Sequence, residues 1–472
     1  MEYWSILLSI VIGVLGIHYL FRNYNFFKRH GVIHIPAVPI LGSLTSVIFR
    51  RISFIDYILK IYNSNPDAKY FGFYATTNPI FFLRDPEIIK SILVKNFDGF
   101  PDRRGFNDLN ESLLSNNLFS LRGQKWRNVR SLLSPSFTSS KMKMMFTLMS
   151  ECAVDFTNFL ATSTPLDNSD MDMKDAFAKY TNDVIATCAF GIKINSVKDP
   201  TNKFYVYGNE AVNFFKTRPI KFLFLRTFPT LGRILNLKLI DNHVSDFFKD
   251  IIKTTIATRD AENITRPDMI QLMMDVRGKE GQRELDLDDM IAQAFIFFFG
   301  GFDTSSTAMS FAAHELAVNT DVQIKLQQEI DKALEETNGE VTYEIINRLE
   351  YLDLVINEVL RLYPPVSVLE RVCEKACELP STLPGEKPLI VKKGIMCIAN
   401  RFAMLELKIL LFHLLARCEL KPCAKTSLPL KFSKKNNLLL MPEGGFWLNI
   451  QRRSHIHPAI KFTTPVNDIA NS

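Results

Sequence analysis

Apolar and polar residues follow the period of an α-helix along most of this chain. Helical patterns cover residues 142–160, 178–190, 244–263, 288–318, 321–337, 343–362 and 401–418, and Pro86 opens a further one. Strand patterns are short: a hairpin over residues 71–83 turning at Asn78-Pro79, a run at 389–391, and runs at 438–441 and 446–450 that would form a second hairpin. The pattern therefore predicts one large, mainly helical domain with small β-sheets.

The N-terminus is a separate apolar segment. No Asp, Glu, Lys or Arg occurs from Tyr3 to Phe21, and a helix of this length would span about 28 Å, close to one hydrocarbon core. Basic residues follow it, at Arg22, Lys28 and Arg29. We therefore predict a transmembrane helix within a membrane anchor over residues 1–22, with the rest of the chain in the cytosol. The alternative, a cleaved signal peptide, would need a basic leader and a small-residue cleavage site, which this segment lacks.

The chain after this segment divides into three parts. Pro36 and Pro39 fix φ and remove two hydrogen-bond donors, so residues 23–45 are predicted to form a stiff, basic hinge or, alternatively, an ordinary loop. The helical domain is predicted to extend over residues 46–453. The polar residues 454–472 are predicted to form a frayed tail.

Composition narrows the class of protein. Apolar residues make up 47% and charged residues 22% of the chain, which is typical of a globular protein and excludes a disordered one. A net charge of +6 over 472 residues is too dilute to indicate nucleic-acid binding. Seven cysteines argue against a disulfide-rich secreted scaffold and fit a reducing compartment. The 38 phenylalanines indicate either a Phe-rich interior or an apolar ligand site.

The helix predicted at residues 288–318 carries the first chemical signal. Its adjacent Gly300 and Gly301 cost about 1 kcal/mol each relative to Ala, a cost that close approach of a flat ligand would explain. Asp303 and Thr304 add a carboxylate and a hydroxyl, and a Thr hydroxyl can hydrogen-bond the carbonyl four residues earlier and open the helix. The pattern fits either a proton-delivery point above a reactive centre or a kinked core helix with its polar side turned outwards.

Two weaker patterns pair polar and charged side chains. Glu358 and Arg361 lie one helical turn apart, where they can bond each other or a neighbouring loop, although solvated pairs of this kind are common. Trp126 and Arg130 share a helix face, and an indole N–H beside a guanidinium suits a buried anion. An arginine packed on a tryptophan at the surface is the alternative.

Taken in order, these segments resemble a microsomal cytochrome P-450 of the insect detoxifying type. Each segment is short, but the ordered set covers nearly the whole chain and is highly specific. The matching segments are the apolar N-terminus, the proline hinge, Trp126-x-x-x-Arg130, residues 181–191, Gly300-Gly301-Phe302-Asp303-Thr304-Ser305, Glu358-x-x-Arg361, Arg371-Val372-Cys373 and residues 397–403.

The resemblance implies both a fold and an activity. The fold would be the mainly α cytochrome P-450 fold around haem b, with a Cys thiolate on the iron that favours O–O cleavage. The activity would be monooxygenation of small lipophilic compounds, xenobiotics or endogenous lipids, with O2 and with electrons from NADPH through a reductase. The resemblance also implies attachment to lipid at the endoplasmic reticulum membrane, with the body on the cytosolic side.

The family's site residues carry over onto matching positions. Cys397 matches the iron ligand, and Asp303 and Thr304 match the oxygen-activation and proton-relay pair. Glu358 and Arg361 match the structural pair below the haem. Contacts to the haem propionates are matched by Trp126, Arg130, Arg371 and Arg103. The substrate-lining positions are matched by Ile296, Phe299, Val366 and Val368. The remaining cysteines near these motifs are predicted to be structural: Cys373, Cys377, Cys418 and Cys423.

The chain departs from the family just before the iron ligand, where the family reads Phe-x-x-Gly-x-Arg-x-Cys-x-Gly. Counting back from Cys397, Ile395 replaces the Arg, Lys393 replaces the Gly and Ile390 replaces the Phe. Several tens of residues are therefore expected to be missing between about 394 and 397. Their loss would leave the Glu358–Arg361 pair buried with one partner missing.

Two interpretations of Cys397 and of the chain follow from this departure. Cys397 is either the iron ligand or an unliganded cysteine at the start of a helix. In the second case the chain is a catalytically impaired or haem-free relative, from a splice variant or an incomplete gene model, that at most binds hydrophobic ligands or partners.

Overall fold

The computed structural model describes residues 2–21, 23–163, 170–277, 285–366, 368–380, 389–391, 403–435, 439–454 and 456. Helices dominate these residues. The helices are α1 (Glu2–Phe21), α2 (Phe26–Arg29), α3 (Thr45–Ile48), α4 (Phe54–Ser64), α5 (Pro86–Lys90), α6 (Ser112–Ser115), α7 (Gly123–Leu133), α8 (Ser139–Ser163), α9 (Met173–Ala189), α10 (Lys203–Val212), α11 (Phe214–Thr217), α12 (Pro219–Thr227), α13 (Pro229–Ile234), α14 (Asn242–Glu262), α15 (Met269–Met274), α16 (Leu287–Val318), α17 (Thr320–Glu336), α18 (Tyr343–Arg348), α19 (Glu350–Leu362) and α20 (Ala403–Arg417).

Among the described residues, short strands form three small antiparallel sheets. The strands are β1 (Tyr70–Ala75), β2 (Asn78–Leu83), β3 (Asp170–Asp172), β4 (Cys377–Leu379), β5 (Leu389–Val391), β6 (Cys418–Pro422) and β7 (Trp447–Arg452). β1 pairs with β2, β4 pairs with β5, and β7 lies between β3 and β6. The prediction of a mainly helical domain with small sheets is confirmed.

Helix α16 is the central element of the fold. Asp286 caps its first turn by accepting a hydrogen bond from the N–H of Asp289, and Asp288 and Asp289 complement the positive end of the helix dipole. The helix packs along α9 and is also contacted by α14, α19 and α20. Because helices surround it, most of its residues are buried, which explains why its sequence is apolar on every face.

Phenylalanine rings fill the core beside α16. Phe298 is fully buried and packs against the rings of Phe190, Phe204 and Phe248, with centroids 6.3, 5.5 and 5.1 Å away. A Cβ at Gly208 would lie only 2.3 Å from the Phe298 ring, so a glycine there lets α10 approach α16. Burial of each such ring contributes roughly 2–3 kcal/mol, so this part of the Phe content is structural.

The predicted hinge is folded onto the first sheet. The Phe27 ring is fully buried, with its centroid 4.9 Å from that of Tyr74. The N–H of Ile35 donates to the carbonyl of Gly72 at 2.9 Å. A Cβ at Gly72 would lie 2.5 Å from the Phe27 ring, so this position has no room for a side chain.

Three predicted elements differ from the structure. The helix predicted over 343–362 is two helices, α18 and α19, separated at Leu349. The turn of the first hairpin is at Thr76-Thr77, so Asn78 and Pro79 lie within β2. The second hairpin was predicted wrongly: Leu439 forms only an isolated bridge with Val366, and β7 pairs instead with β6 and β3.

Helix α1 occupies the predicted anchor. Its exposed side chains include Tyr3, Trp4 and Ile17. Among the residues that the structure describes, no helix combines the length and the apolar content that crossing a bilayer requires. The predicted transmembrane helix is therefore not supported by the structure.

Candidate functional site

The middle of α16 has one open position. A Cβ built on Gly300 would meet nothing within 4 Å outside its own helix, whereas one on Gly301 would lie 2.9 Å from Cδ1 of Ile185 on α9. The hydroxyl of Thr304 donates to the carbonyl of Gly300 at 2.5 Å, the i−4 bond expected from the sequence. Gly300 and Thr304 therefore form a notch, an open strip on an otherwise buried helix.

Asp303 is ion-paired with the neighbouring helix α9. Its carboxylate Oδ1 lies 2.5 Å from the ammonium of Lys174, and the pair is mostly shielded from solvent. Asp303 and Thr304 are adjacent in sequence, but their side chains point to different partners. The Asp303 carboxylate accepts a hydrogen bond from Lys174 on α9, whereas the Thr304 hydroxyl donates one to the Gly300 carbonyl.

An aromatic wall adjoins the notch. Phe299 precedes Gly300, and its ring centroid is 5.9 Å from those of both Phe106 and Phe214. Phe106 also contacts Phe119, 6.1 Å away. The wall therefore combines residues of α16, α11 and the loops on either side of α6. Phe106 and Phe214 are buried in the core, whereas Phe119 is exposed and Phe299 is half-buried.

Arginine side chains converge at the end of this wall. The guanidinium of Arg103 lies over the Phe119 ring, 5.4 Å from its centroid. Asp102, which is buried, binds two other segments: its carbonyl accepts the N–H of Val372 at 2.7 Å, and its carboxylate accepts the N–H of Gly123 at 2.9 Å. These bonds bring the loop of Arg103 against the segment of Arg371 and the start of α7.

The charges that shift the pKa of Arg103 belong to the side chains that lie near it. Burial, together with the nearby charges of Arg371 and Arg130, lowers the pKa of Arg103 to about 10, while Glu370 acts in the opposite direction. We call Arg103, Arg130 and Arg371 the arginine cluster. Three cations that repel one another at a partly buried site favour a multiply charged anion.

Trp126 shares α7 with Arg130, as predicted. The indole is half-buried and packs on the ring of Phe97, with centroids 5.9 Å apart, while Arg130 is exposed. The tryptophan packs on the core, and the arginine is exposed on the same helix, so both alternatives stay open.

The Glu358–Arg361 pair is formed but is not buried. Both nitrogens of the Arg361 fork bond the carboxylate, at 2.7 and 2.8 Å. The side chains are 56% and 66% exposed, respectively. The expectation that a buried pair would be left half satisfied was therefore wrong.

The predicted substrate-lining residues fall into two sets. Ile296 and Phe299 are half-buried on α16, whereas Val366 and Val368 are exposed after α19. Among the cavities of the described part of the chain are two of about 400 and 510 Å³. They flank α14 on residues such as Glu111 and Phe247, and none of the four predicted residues lines them.

The cysteines near the motifs are free thiols. Cys373 and Cys418 are buried, and Cys377 and Cys423 are half-buried. The predicted iron ligand, Cys397, lies outside the described residues, together with Lys393 and Ile395.

Sequence inspection missed several polar residues that shape the site. Asp102, Lys174 and Glu370 each lie beside another charged residue in the sequence, with no spacing that distinguishes them from surface residues. Glu406 was missed for the same reason, although it is buried on α20 and faces Ser305. Only their positions in the folded chain identify them.

The long central helix with its notch, the aromatic wall and the arginine cluster belong to a mainly helical protein with small sheets. The family model for cytochrome P450 matches residues 36–391. The chain belongs to the cytochrome P450 family, whose members are haem-dependent monooxygenases.

Individual relatives are insect proteins. The chain is 37% identical to "Cytochrome P450 9e2" of Blattella germanica, with 96% of this chain and 98% of the relative covered. It is 34% identical to "Cytochrome P450 6j1" of the same species, with 96% and 99% covered. It is 32% identical to "Probable cytochrome P450 9f2" of Drosophila melanogaster, with 95% and 99% covered.

The comparisons also bear on the departure before Cys397. The three alignments extend over 529, 500 and 514 positions, more than the 472 residues of this chain, so each contains gaps in this chain. The family match ends at residue 391, six positions before Cys397.

Proposed function

We propose that this fold serves the monooxygenation of small lipophilic compounds with O2, with electrons that a reductase passes from NADPH. The observation that carries the proposal is the arginine cluster at the end of the aromatic wall. A chain of contacts runs from Arg103 through Phe119 and Phe106 to Phe299, the residue before Gly300.

The residues present fit the propionate edge and one face of haem b. Haem b carries two carboxylates on a flat apolar ring. The arginine cluster supplies three cations, Arg103, Arg130 and Arg371, whose mutual repulsion these carboxylates would relieve. The indole N–H of Trp126 would add a donor. Gly300 would admit the ring because no side chain projects there. When bound through a cysteine thiolate, haem supplies the electron-rich iron that this oxidation requires.

The protein's own groups would orient the substrate and handle protons. Phe299 and the rings around it would hold a lipophilic substrate and exclude water from the notch. The Thr304 hydroxyl is held at the notch by the Gly300 carbonyl, where it can donate or accept a proton. The Asp303 carboxylate is one residue away and, once it is free of Lys174, would relay protons by accepting one and then donating it.

The proposal includes a location at the endoplasmic reticulum membrane, with the helical body on the cytosolic side. It is supported by the exposed apolar side chains of α1, among them Tyr3, Trp4 and Ile17. Apolar side chains at such density on one exposed helix favour contact with lipid. Deletion of residues 2–21 should release much of the protein from microsomal membranes in a flotation assay, and unchanged flotation would contradict this part of the proposal.

A second candidate function is ligand binding without catalysis. It is favoured by the end of the family match at residue 391 and by the exposed Glu358–Arg361 pair. Ile395, Lys393 and Ile390 stand where the family has Arg, Gly and Phe. If the missing segment shields the sulfur and donates N–H bonds to it, its loss would leave Cys397 a poor iron ligand.

One spectrum distinguishes the two functions. The purified full chain would be reduced and exposed to CO, beside a Cys397→Ala variant. A strong thiolate-type Soret band that the variant loses supports monooxygenation. Bound haem without that band, or no bound haem at all, supports the second function and contradicts the first.

A further inference from the structure

Lys174 occupies an unfavourable position in its own helix. It is the second residue of α9, where the N-terminal end of the helix dipole repels a cation. Its backbone N–H is already satisfied by the carboxylate of the capping residue Asp172, at 3.0 Å. Burial raises the pKa of the Asp172 carboxyl, a shift that the charge of Lys174 opposes, while the side-chain hydrogen bonds of the Lys174 ammonium lead to another helix.

The ammonium of Lys174 is directed at one turn of α16. It donates to the carbonyl of Asp303 at 3.0 Å, to Oδ1 of Asp303 at 2.5 Å and to Oγ of Ser306 at 2.5 Å. The Lys174 side chain is 16% exposed and that of Asp303 is 25% exposed. Three acceptors match the three hydrogens of the ammonium, and partial burial makes each contact stronger than a surface ion pair.

A second residue of α9 reaches the same turn. The hydroxyl of Thr181 donates to the carbonyl of Phe302 at 3.1 Å. That carbonyl also accepts Ser306 Oγ at 2.6 Å, and the Asp303 carbonyl also accepts Thr307 Oγ1 at 2.7 Å. Side-chain donors on consecutive carbonyls compete with the helix's own N–H bonds, so this turn depends on α9 for its geometry.

We propose that Lys174 is a positioning residue for the Asp303–Thr304 turn. It holds the Asp303 carboxylate on α9 and leaves the Thr304 hydroxyl at the notch. The importance of this turn for catalysis rests on the proposed function, but the contact itself requires no haem. The test is therefore made on the full chain without added haem, so that its failure and failure of the proposed function are separate results.

The variants have a matched control on the same helix. Lys174→Met removes the ammonium and keeps a side chain of similar length. Lys179→Met is the control, because it removes an ammonium that pairs with Asp175 one turn earlier on α9. The two groups lie 2.6 Å apart, and the Asp175 side chain is 54% exposed. Lys174→Arg restores a cation that can reach the same carboxylate.

Hydrogen–deuterium exchange of α16 is the first measurement. Lys174→Met should speed amide exchange within residues 303–307 by about tenfold or more, because the turn loses its anchor, while residues 288–296 stay slow. Lys174→Arg should restore slow exchange, and Lys179→Met should not change it. Unchanged exchange in Lys174→Met, or an equal change in Lys179→Met, would overturn the proposal.

A double-mutant cycle is the second measurement. Asp303→Asn should lower the thermal midpoint in the parent chain but not in Lys174→Met, where the carboxylate has already lost its partner. A lowering of equal size in both backgrounds would show that Asp303 does not depend on Lys174 and would overturn the proposal. This readout remains usable if one variant is too unstable for exchange experiments.

Discussion

The Arg361 guanidinium donates two hydrogen bonds to the Glu358 carboxylate at the surface of the molecule, where both side chains are more than half exposed. The resemblance to the cytochrome P-450 family predicts a buried pair that needs a third partner, whereas the spacing alone is equally typical of a solvated pair. Because solvent surrounds both groups, the desolvation that makes buried pairs costly does not arise here.

We expect Arg361→Ala to leave the stability of the chain nearly unchanged. An exposed ion pair contributes little in water and is screened by salt, so the melting midpoint of the variant should match that of the parent at high ionic strength. Thermal unfolding at low and high salt measures this. A large, salt-independent loss would show that another segment covers the pair in solution.

We expect Arg371→Gln to weaken binding of a dianionic porphyrin by about tenfold, the size of one charge-assisted hydrogen bond. The substitution also removes a cation that lowers the pKa of Arg103, so the ligand-free chain should not lose stability for electrostatic reasons. Titration with haemin and with its dimethyl ester separates charge from apolar contact.

In that titration, Arg371→Gln should weaken the binding of haemin, the dicarboxylate, but not the binding of its dimethyl ester. Arg127→Gln is the matched control, because Arg127 lies on α7 but is exposed and paired with Asp98 at 2.8 Å. Equal losses for haemin and its ester would mean that Arg371 acts through packing rather than through charge.

We expect Gly300→Ala to stabilise the ligand-free chain by up to about 1 kcal/mol, because Ala is the better helix former and its methyl group meets no neighbour. The same methyl group would occupy the notch, so haemin binding should weaken. Gly301→Ala is the comparison, since its Cβ must displace Ile185 Cδ1, 2.9 Å away, and should gain less stability. Urea unfolding and haemin titration measure the two effects, and tighter haemin binding by Gly300→Ala would contradict the notch.

We expect the stability of the chain to depend on the protonation of Glu406. Burial raises the pKa of this carboxyl from 4.5 to about 8, while the Ser305 hydroxyl opposes the shift. As pH rises between these values, the unfolded chain has lost the proton and the folded chain retains it, so this group lowers the free energy of unfolding by up to about 1.4 kcal/mol per pH unit.

Glu406→Gln should remove this contribution, because the amide is neutral throughout the range. Urea unfolding of the variant and the parent between about pH 5 and 8 measures the difference, with the exposed Glu335→Gln as control. Parallel pH profiles for parent and Glu406→Gln would show that the carboxyl is ionised or hydrated in the folded chain.

Much of the helical architecture could be predicted because the patterns are strong and end at recognisable caps. The helix predicted over 288–318 is observed over Leu287–Val318, after the capping residue Asp286. The break at Leu349 could not be predicted, since neither Gly nor Pro marks it. It is fixed by Glu329 of α17, whose carboxylate accepts the N–H groups of Tyr351 and Leu352 at 2.8 and 3.0 Å.

The strand errors have a similar cause. The residues at 446–450 were paired with their sequence neighbours, but β7 finds distant partners in β6 and β3. The site shows the same division between local and distant contacts. Thr304 bonded to Gly300 is a local relation that the sequence contains, whereas Lys174 contacting Asp303 depends on how two distant helices pack.

The bonds of Asp102 to Val372 and Gly123 mean that the arginine cluster exists only once three distant segments have come together. An anion that binds there binds the native state and not the unfolded chain, so by mass action it stabilises the folded protein. Under the proposed function, the lifetime of this polypeptide in a cell should follow the supply of haem, and a shortage of haem should first increase its proteolysis.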